Sequence, residues 1–222
     1  MAGNRWDGAG SEGREAFELA SHAGEELCCH TAAQPVDPAD VISFWQEAGT
    51  AMWFAEDPNF DRRFRERFLS AYDAARRGEL DDWPATPNGA LALLILLDQF
   101  PRNAFRGTAR IHESDAQARD VAERAIAADF PGQICPKLRA FIYMPLHHSE
   151  QLADQERAVA LMRELGDEAA RAAEHHCEII RRFGRFPHRN AILGRTTTAE
   201  EQEYLDQGGF AGGSLIEPKS TL

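Results

Sequence analysis

The apolar positions of this chain recur at helical spacing. Phe60, Phe64 and Phe68 repeat at i, i+4 and i+8, and Ala118, Val121, Ala122, Ala125 and Ile126 form a second stripe. A third runs through Ala169, Ala172, Ala173, His176, Ile180 and Phe183. The start signals repeat as well. Asp37-Pro38, Asp57-Pro58 and Thr86-Pro87 each set a capping side chain before a proline at the first helical position. The missing proline amide costs nothing there, because the first helical amides have no partner inside the helix. These signals predict helices over 38–48, 58–78 and 87–100, with Pro101 closing the third. Ser114 is the expected cap of the next helix, Pro136 opens a short apolar one through Tyr143, and 149–165 reads as another. A long helix follows from Asp167 to about Phe183, and Thr198 with Glu201 makes a capping box for a last one through Leu205. No segment alternates apolar and polar residues over strand length, so the chain reads as all-α with no sheet.

The ends differ from this pattern. Residues 1–35, rich in Gly, Ala, Ser and Glu, read as a flexible extension with a weak helical pattern over 15–28. Residues 208–222 read as a flexible tail, which leaves a single helical domain over 36–207. A chain of 222 residues buries roughly 70% of its extended surface and needs no staples. Cys28, Cys29, Cys135 and Cys177 show no CxxC pair and no zinc spacing, which fits a reducing compartment. The start of the sequence lacks a basic segment followed by an apolar run, and the longest apolar stretch, Ala90 to Leu97, is far short of the ~20 residues a span needs. A soluble, cytoplasmic protein without a membrane is the expectation.

The net charge is −12, from 36 acidic and 24 basic residues, which argues against a nucleic-acid partner. Against that background the run Ile179–Ala199 holds no acid but carries Arg181, Arg182, Arg185, His188, Arg189 and Arg195. A second acid-free run, Gln99–His112, holds Arg102, Arg106 and Arg110. Each contains one phrase: Phe100-Pro101-Arg102-Asn103 and Phe186-Pro187-His188-Arg189-Asn190. Arg forks bind carboxylate or phosphate with two parallel hydrogen bonds, and helix starts favour anions. Two readings stay open. The phrases hold a small anion, or their arginines bind internal acids such as Asp98 and their asparagines cap helices.

A second candidate is Tyr143-Met144-Pro145-Leu146-His147-His148-Ser149-Glu150. Its histidines and Glu150, with His188, suit general acid/base chemistry, because neutral imidazole sits near its pKa at working pH. The plainer reading is a proline-broken turn whose Ser149 caps the next helix. His175-His176-Cys177-Glu178 is not a metal set, since neighbours on a helix diverge by about 100° and cannot share one ion. His176 falls on the apolar stripe and reads as a core histidine. No dinucleotide fingerprint, phosphate loop or GxSxG occurs, and neither cofactor nor metal is implied.

FWQEAG, the pair Trp53-Phe54, ILLDQFPRNAFRG, YMPLHHSE, DQERAV and RFGRFPHRNAILGRTTTAEE occur in this order over residues 38–207. The set resembles the bacterial family known as domain of unknown function 924. That resemblance implies a tetratricopeptide-like fold, a right-handed array of antiparallel helix pairs, and brings no activity with it. Its first signature is matched by Asp98, Gln99, Arg102, Asn103 and Arg106, and its second by Tyr143, His148, Ser149 and Glu150. Its third is matched by Arg185, His188, Arg189 and Asn190. His147 stands where the family varies, which favours His148. Three functions follow as expectations. The first is binding of a small anionic molecule or acidic peptide end by Asp98, Gln99, Arg102, Asn103, Arg106, Tyr143, Arg185, Arg189 and Asn190. The second is hydrolysis of a phosphate or carboxylate ester at the same site, with His148, His188 and Glu150 catalytic. The third is a scaffold for a protein partner, its motifs purely structural.

Overall fold

The computed structural model describes residues 36–209. The expectations for residues 1–35, including Cys28 and Cys29, and for 210–222 lie outside them. Ten α-helices order the described residues: α1 Pro38–Ala48, α2 Thr50–Trp53, α3 Pro58–Arg76, α4 Pro87–Leu94, α5 Phe100–Ala104, α6 Asp115–Ala127, α7 Ala140–His147, α8 Leu152–Arg163, α9 Asp167–Phe183 and α10 Ala199–Asp206. Among the described residues there is no strand, and no helix is long and apolar enough to cross a membrane. Four of the expected caps form where the sequence places them. Asp37 and Asp40 make a reciprocal box at α1, Asp57 and Thr86 cap α3 and α4, and Thr198 with Glu201 boxes α10.

Pro101 does not end its helix. A π-helical turn, Ile95–Gln99, joins α4 to α5, with the Phe100 amide donating to the Ile95 carbonyl. The wider turn makes room for the pyrrolidine ring, and the carbonyl that Pro101 cannot serve, Leu97 O, receives the Ser114 hydroxyl at 2.6 Å. Ser114 is therefore drawn away from the expected capping role, and α6 starts without a side-chain cap. Pro145 likewise lies inside α7 and does not break the chain. The next helix begins at Leu152, and the Ser149 hydroxyl accepts the Gln151 amide and donates to Asp154, so it braces the turn before α8 without capping it.

The core is aromatic. Phe44 stacks on Phe64 at 5.2 Å, Trp45 meets Phe141 edge-on at 5.3 Å, and Tyr72 stacks on Phe100 at 4.9 Å. Trp53 fills the core and donates its indole N–H to Trp45 O. Such pairs contribute about 0.5–1.5 kcal/mol beyond their burial. Around this core α1 packs on α4, α6 on α7, α7 on α8 and α8 on α9. A smaller cluster of Ile179, Ile180 and Phe186, with Phe183 and Tyr204, joins α9 to α10. Most of the buried polar residues fall around α5, at the start of α6, at the end of α7 and at the 3-10 turn Pro187–Arg189.

Candidate functional site

The site is built on Asp98, which the π turn sets directly after the apolar run of α4 and which is 1% exposed. A lone buried carboxylate would be costly, so its oxygens are all engaged. Arg102, one turn on, places Nη1 3.1 Å from Oδ1, and Gln99 Nε2 lies 2.6 Å from Oδ2. His148, which follows α7, puts Nδ1 2.9 Å from Oδ1. Burial works against ionisation of Asp98, but the Arg102 guanidinium and His148 outweigh it and hold the carboxyl below its usual range. An ionised Asp98 can only accept, which assigns the proton to His148 Nδ1 and leaves Nε2 with its lone pair. Burial pushes the His148 pKa down, Arg102 adds to this and Asp98 opposes it, so the ring is neutral at neutral pH.

Arg102 also joins a second pair. Its Nη2 lies 2.9 Å from Asp115 Oδ1, while Asp115 Oδ2 lies 2.8 Å from His112 Nδ1. On the other side, Arg189 donates from Nη2 to the carbonyl of His148 at 2.9 Å and lies 4.3 Å over the Phe186 ring. Both Phe-Pro phrases thus converge on His148, Arg102 indirectly through Asp98 and Arg189 directly through the His148 backbone carbonyl. Glu150 completes the junction. It receives Arg195 through both oxygens at 2.9 and 2.8 Å and accepts the Phe186 amide.

These groups open on a cleft of about 320 Å³ whose walls include His112, Asp115, Arg119, His148, Glu150, Arg189 and Arg195. Arg189 is unusual among them. It is 8% exposed, and no carboxylate of the described residues comes within 4.0 Å of it. Burial first, then Arg102, pushes its pKa down to about 10, so it remains a cation at neutral pH. Arg119 faces Asp154 at 3.6 Å, and Arg195 is paired with Glu150.

The other residues named from sequence lie elsewhere. Arg106 holds Asp61, the Ala55 carbonyl and Asn103 Oδ1, tying α5 to α3, and Asn103 donates to Gln99 O. Arg185 makes a fork on Glu201 and reaches Thr196 O, and Asn190 also donates to Glu201. Tyr143 is buried in the aromatic core. His188 lies 5.5 Å from the Phe186 ring and is not part of the cleft wall; burial, then Arg189 and His112, pushes its pKa down to about 3. Sequence reasoning did not select His112, Asp115, Arg119 or Arg195. The spacing of His112 and Asp115 around a helix start, and the place of Arg195 in the acid-free run Ile179–Ala199, were the available signals. His175 and His176 diverge, their rings 6.2 Å apart and nearly perpendicular, and His176 Nδ1 binds the Ala172 carbonyl.

The sequence profile of a family of bacterial proteins of unknown function, DUF924, matches residues 41–209. A solved structure, that of a protein of unknown function from Agrobacterium tumefaciens, is similar at 47% identity and a TM-score of 0.76. The match covers 77% of this chain and 97% of that one. No curated protein matches the sequence.

Proposed function

This chain belongs to the bacterial DUF924 family of unknown function, and we propose that it binds a small anionic molecule in the cleft beside His148. One observation carries the reading: Arg189, a buried cation in the cleft wall with no carboxylate of the described residues in ion-pair range. Burying an unpaired charge is costly, and an incoming carboxylate or phosphate would supply the missing partner in a medium where pairing is strong. A volume of about 320 Å³ is at the small end for ligand pockets, which favours a small molecule or a single acidic peptide end. In this reading Arg189 binds, Arg119 adds field, and Asp98, Gln99 and Arg102 support His148. Arg106, Arg185, Asn103 and Asn190 brace the turns.

The test is a thermal-shift and calorimetric series with acetate, dicarboxylates, phosphate and sulfate on wild type, Arg189→Lys and Arg189→Ala. A ligand at 100 times its dissociation constant adds about 2.7 kcal/mol, or about 5–10 °C for a domain of this size. The shift should vanish in Arg189→Ala and shrink in Arg189→Lys, which keeps charge but loses the fork. Wild-type protein unmoved by every anion would refute the proposal.

The same proposal takes residues 36–207 as one cytoplasmic domain and its helices as a tetratricopeptide-like right-handed array. The sequential packing of α6 on α7, α7 on α8 and α8 on α9 supports it. An experimental structure with a left-handed step between successive pairs would refute the array.

A further inference from the structure

Beside the cation, the cleft presents a histidine whose surroundings suit chemistry. The ring of His148 is fixed by a carboxylate that is itself immobilised, with His148 and Arg102 on one oxygen and Gln99 on the other. Its Nε2 makes no hydrogen bond within the described residues and, unlike the enclosed Nε2 of His112, is not sealed from the cleft. Arg189 grips the carbonyl of this same residue and lines the same cleft as the imidazole, so an anion paired with Arg189 would share that cleft with the ring. Ser149 offers no nucleophile, because its hydroxyl is committed to Asp154 at 2.6 Å. Water is then the group to be activated.

We infer that His148 is a general base, positioned by Asp98, and that the protein hydrolyses a small carboxylic ester bearing one anionic group. The inference rests on the anion-binding reading above. One uncompensated arginine matches one carboxylate, whereas a phosphate dianion would also meet Asp115 and Glu150 in the same walls. Nε2 takes a proton from water as the water oxygen bonds to the acyl carbon and the carbonyl electrons move to oxygen. When that intermediate collapses, the bond to the alcohol oxygen breaks and the proton on Nε2 passes to the departing alkoxide. Ester and water give acid and alcohol, nothing is oxidised, and His148 returns to its starting form. Asp98 stays ionised throughout and steadies the transient imidazolium.

The experiment uses the full chain with the mono-4-nitrophenyl ester of adipic acid, which carries one carboxylate, and with its uncharged counterpart 4-nitrophenyl hexanoate. The expected result is kcat/KM about tenfold or more higher for the anionic ester, with Arg189→Ala raising KM for that ester alone. His148→Gln should lower kcat about 100-fold or more. Asp98→Asn should lower kcat and displace the rising limb of the pH profile, which in wild type lies below pH 6.5 because His148 titrates below its ordinary value. A fold-only role for Asp98 would leave that limb in place. If His148→Gln does not fold, the wild-type solvent deuterium effect decides, and a ratio of one overturns the inference. Adipate stabilising a protein that cleaves neither ester overturns general-base catalysis and leaves the anion site standing. Neither stabilisation nor cleavage overturns both.

Discussion

Acid should unfold this protein well before its carboxylates titrate, and the reason lies in four histidines. His147, His148, His176 and His188 are all held below the ordinary histidine pKa, burial being the largest cause in each. His147 packs tilted against His176 with ring centroids 3.7 Å apart, and His176 adds to the burial that disfavours charge on His147. In the unfolded chain all four return to about 6.5 and bind protons as the pH falls, while in the folded chain each binds its proton only at a lower pH. Stability is therefore full above pH 6.5 and is lost as the pH falls toward the folded values, about 3 for His176 and His188. Between pH 7 and pH 5 each such histidine costs about 2 kcal/mol, so these two alone remove about 4 kcal/mol. His147 and His148 act in the same direction. Total stabilities of roughly 5–15 kcal/mol make this a large share. The carboxylates do not confuse the window, because Asp and Glu of the unfolded chain are still mostly ionised at pH 5. The assay is urea unfolding followed by circular dichroism at both pH values, compared at constant m-value. His176→Asn, whose amide can replace Nδ1 on Ala172 O, should shrink the pH penalty by about 2 kcal/mol. Equal unfolding free energies at pH 7 and pH 5 would refute the reasoning.

Two further outcomes test the local structure around the site. Ser114→Ala strips the Leu97 carbonyl of its donor and should cost about 1–3 kcal/mol, but in a Pro101→Ala background, where an amide is available again, the cost should fall; a double-mutant cycle in urea measures the difference, and additivity would sink the idea. Gly89→Ala drives a methyl into the Trp83 carbonyl oxygen and should destabilise by about 3 kcal/mol, read as a lower urea midpoint; an unchanged midpoint would contradict the packing of the 3-10 turn Trp83–Ala85 on α4.

The helices were legible because their signals are local. Asp37 and Thr198 reach backbone amides three residues on, so sequence spacing alone carries the geometry. What was not legible depends on partners distant in the chain. Pro101 reads as a helix stop until Ser114, 13 residues later, is seen to replace the missing donor four residues behind it. The acid-free runs mark positive charge along the sequence, yet ion pairs form in space. Arg106 is neutralised by Asp61 and Arg185 by Glu201, both outside the runs, while Arg189 has no such partner among the described residues. The setting of the His148 ring depends on Asp98, which lies 50 residues earlier.

The placement of Asp98 itself needs an explanation beyond stability. It follows Ala90 to Leu97, the most apolar stretch of the chain, all eight of whose residues are buried. Carrying a carboxylate into that environment incurs a desolvation cost, offset only by recruiting Arg102, Gln99 and His148, and Arg102 in turn engages Asp115. Apolar residues of similar volume serve stability as well or better in buried networks of this kind, whereas removal of one member typically costs 3–5 kcal/mol. The backbone shows the same pattern. Asp98 lies in a π turn, a rare conformation that concentrates at functional sites, and His148 follows a helix that carries an internal proline. Both irregularities converge on one imidazole, with a buried guanidinium on its carbonyl that has no carboxylate partner among the described residues. A fold that needed only to be stable would not require this arrangement, but a protein that must hold a neutral histidine at a fixed angle beside an anion would.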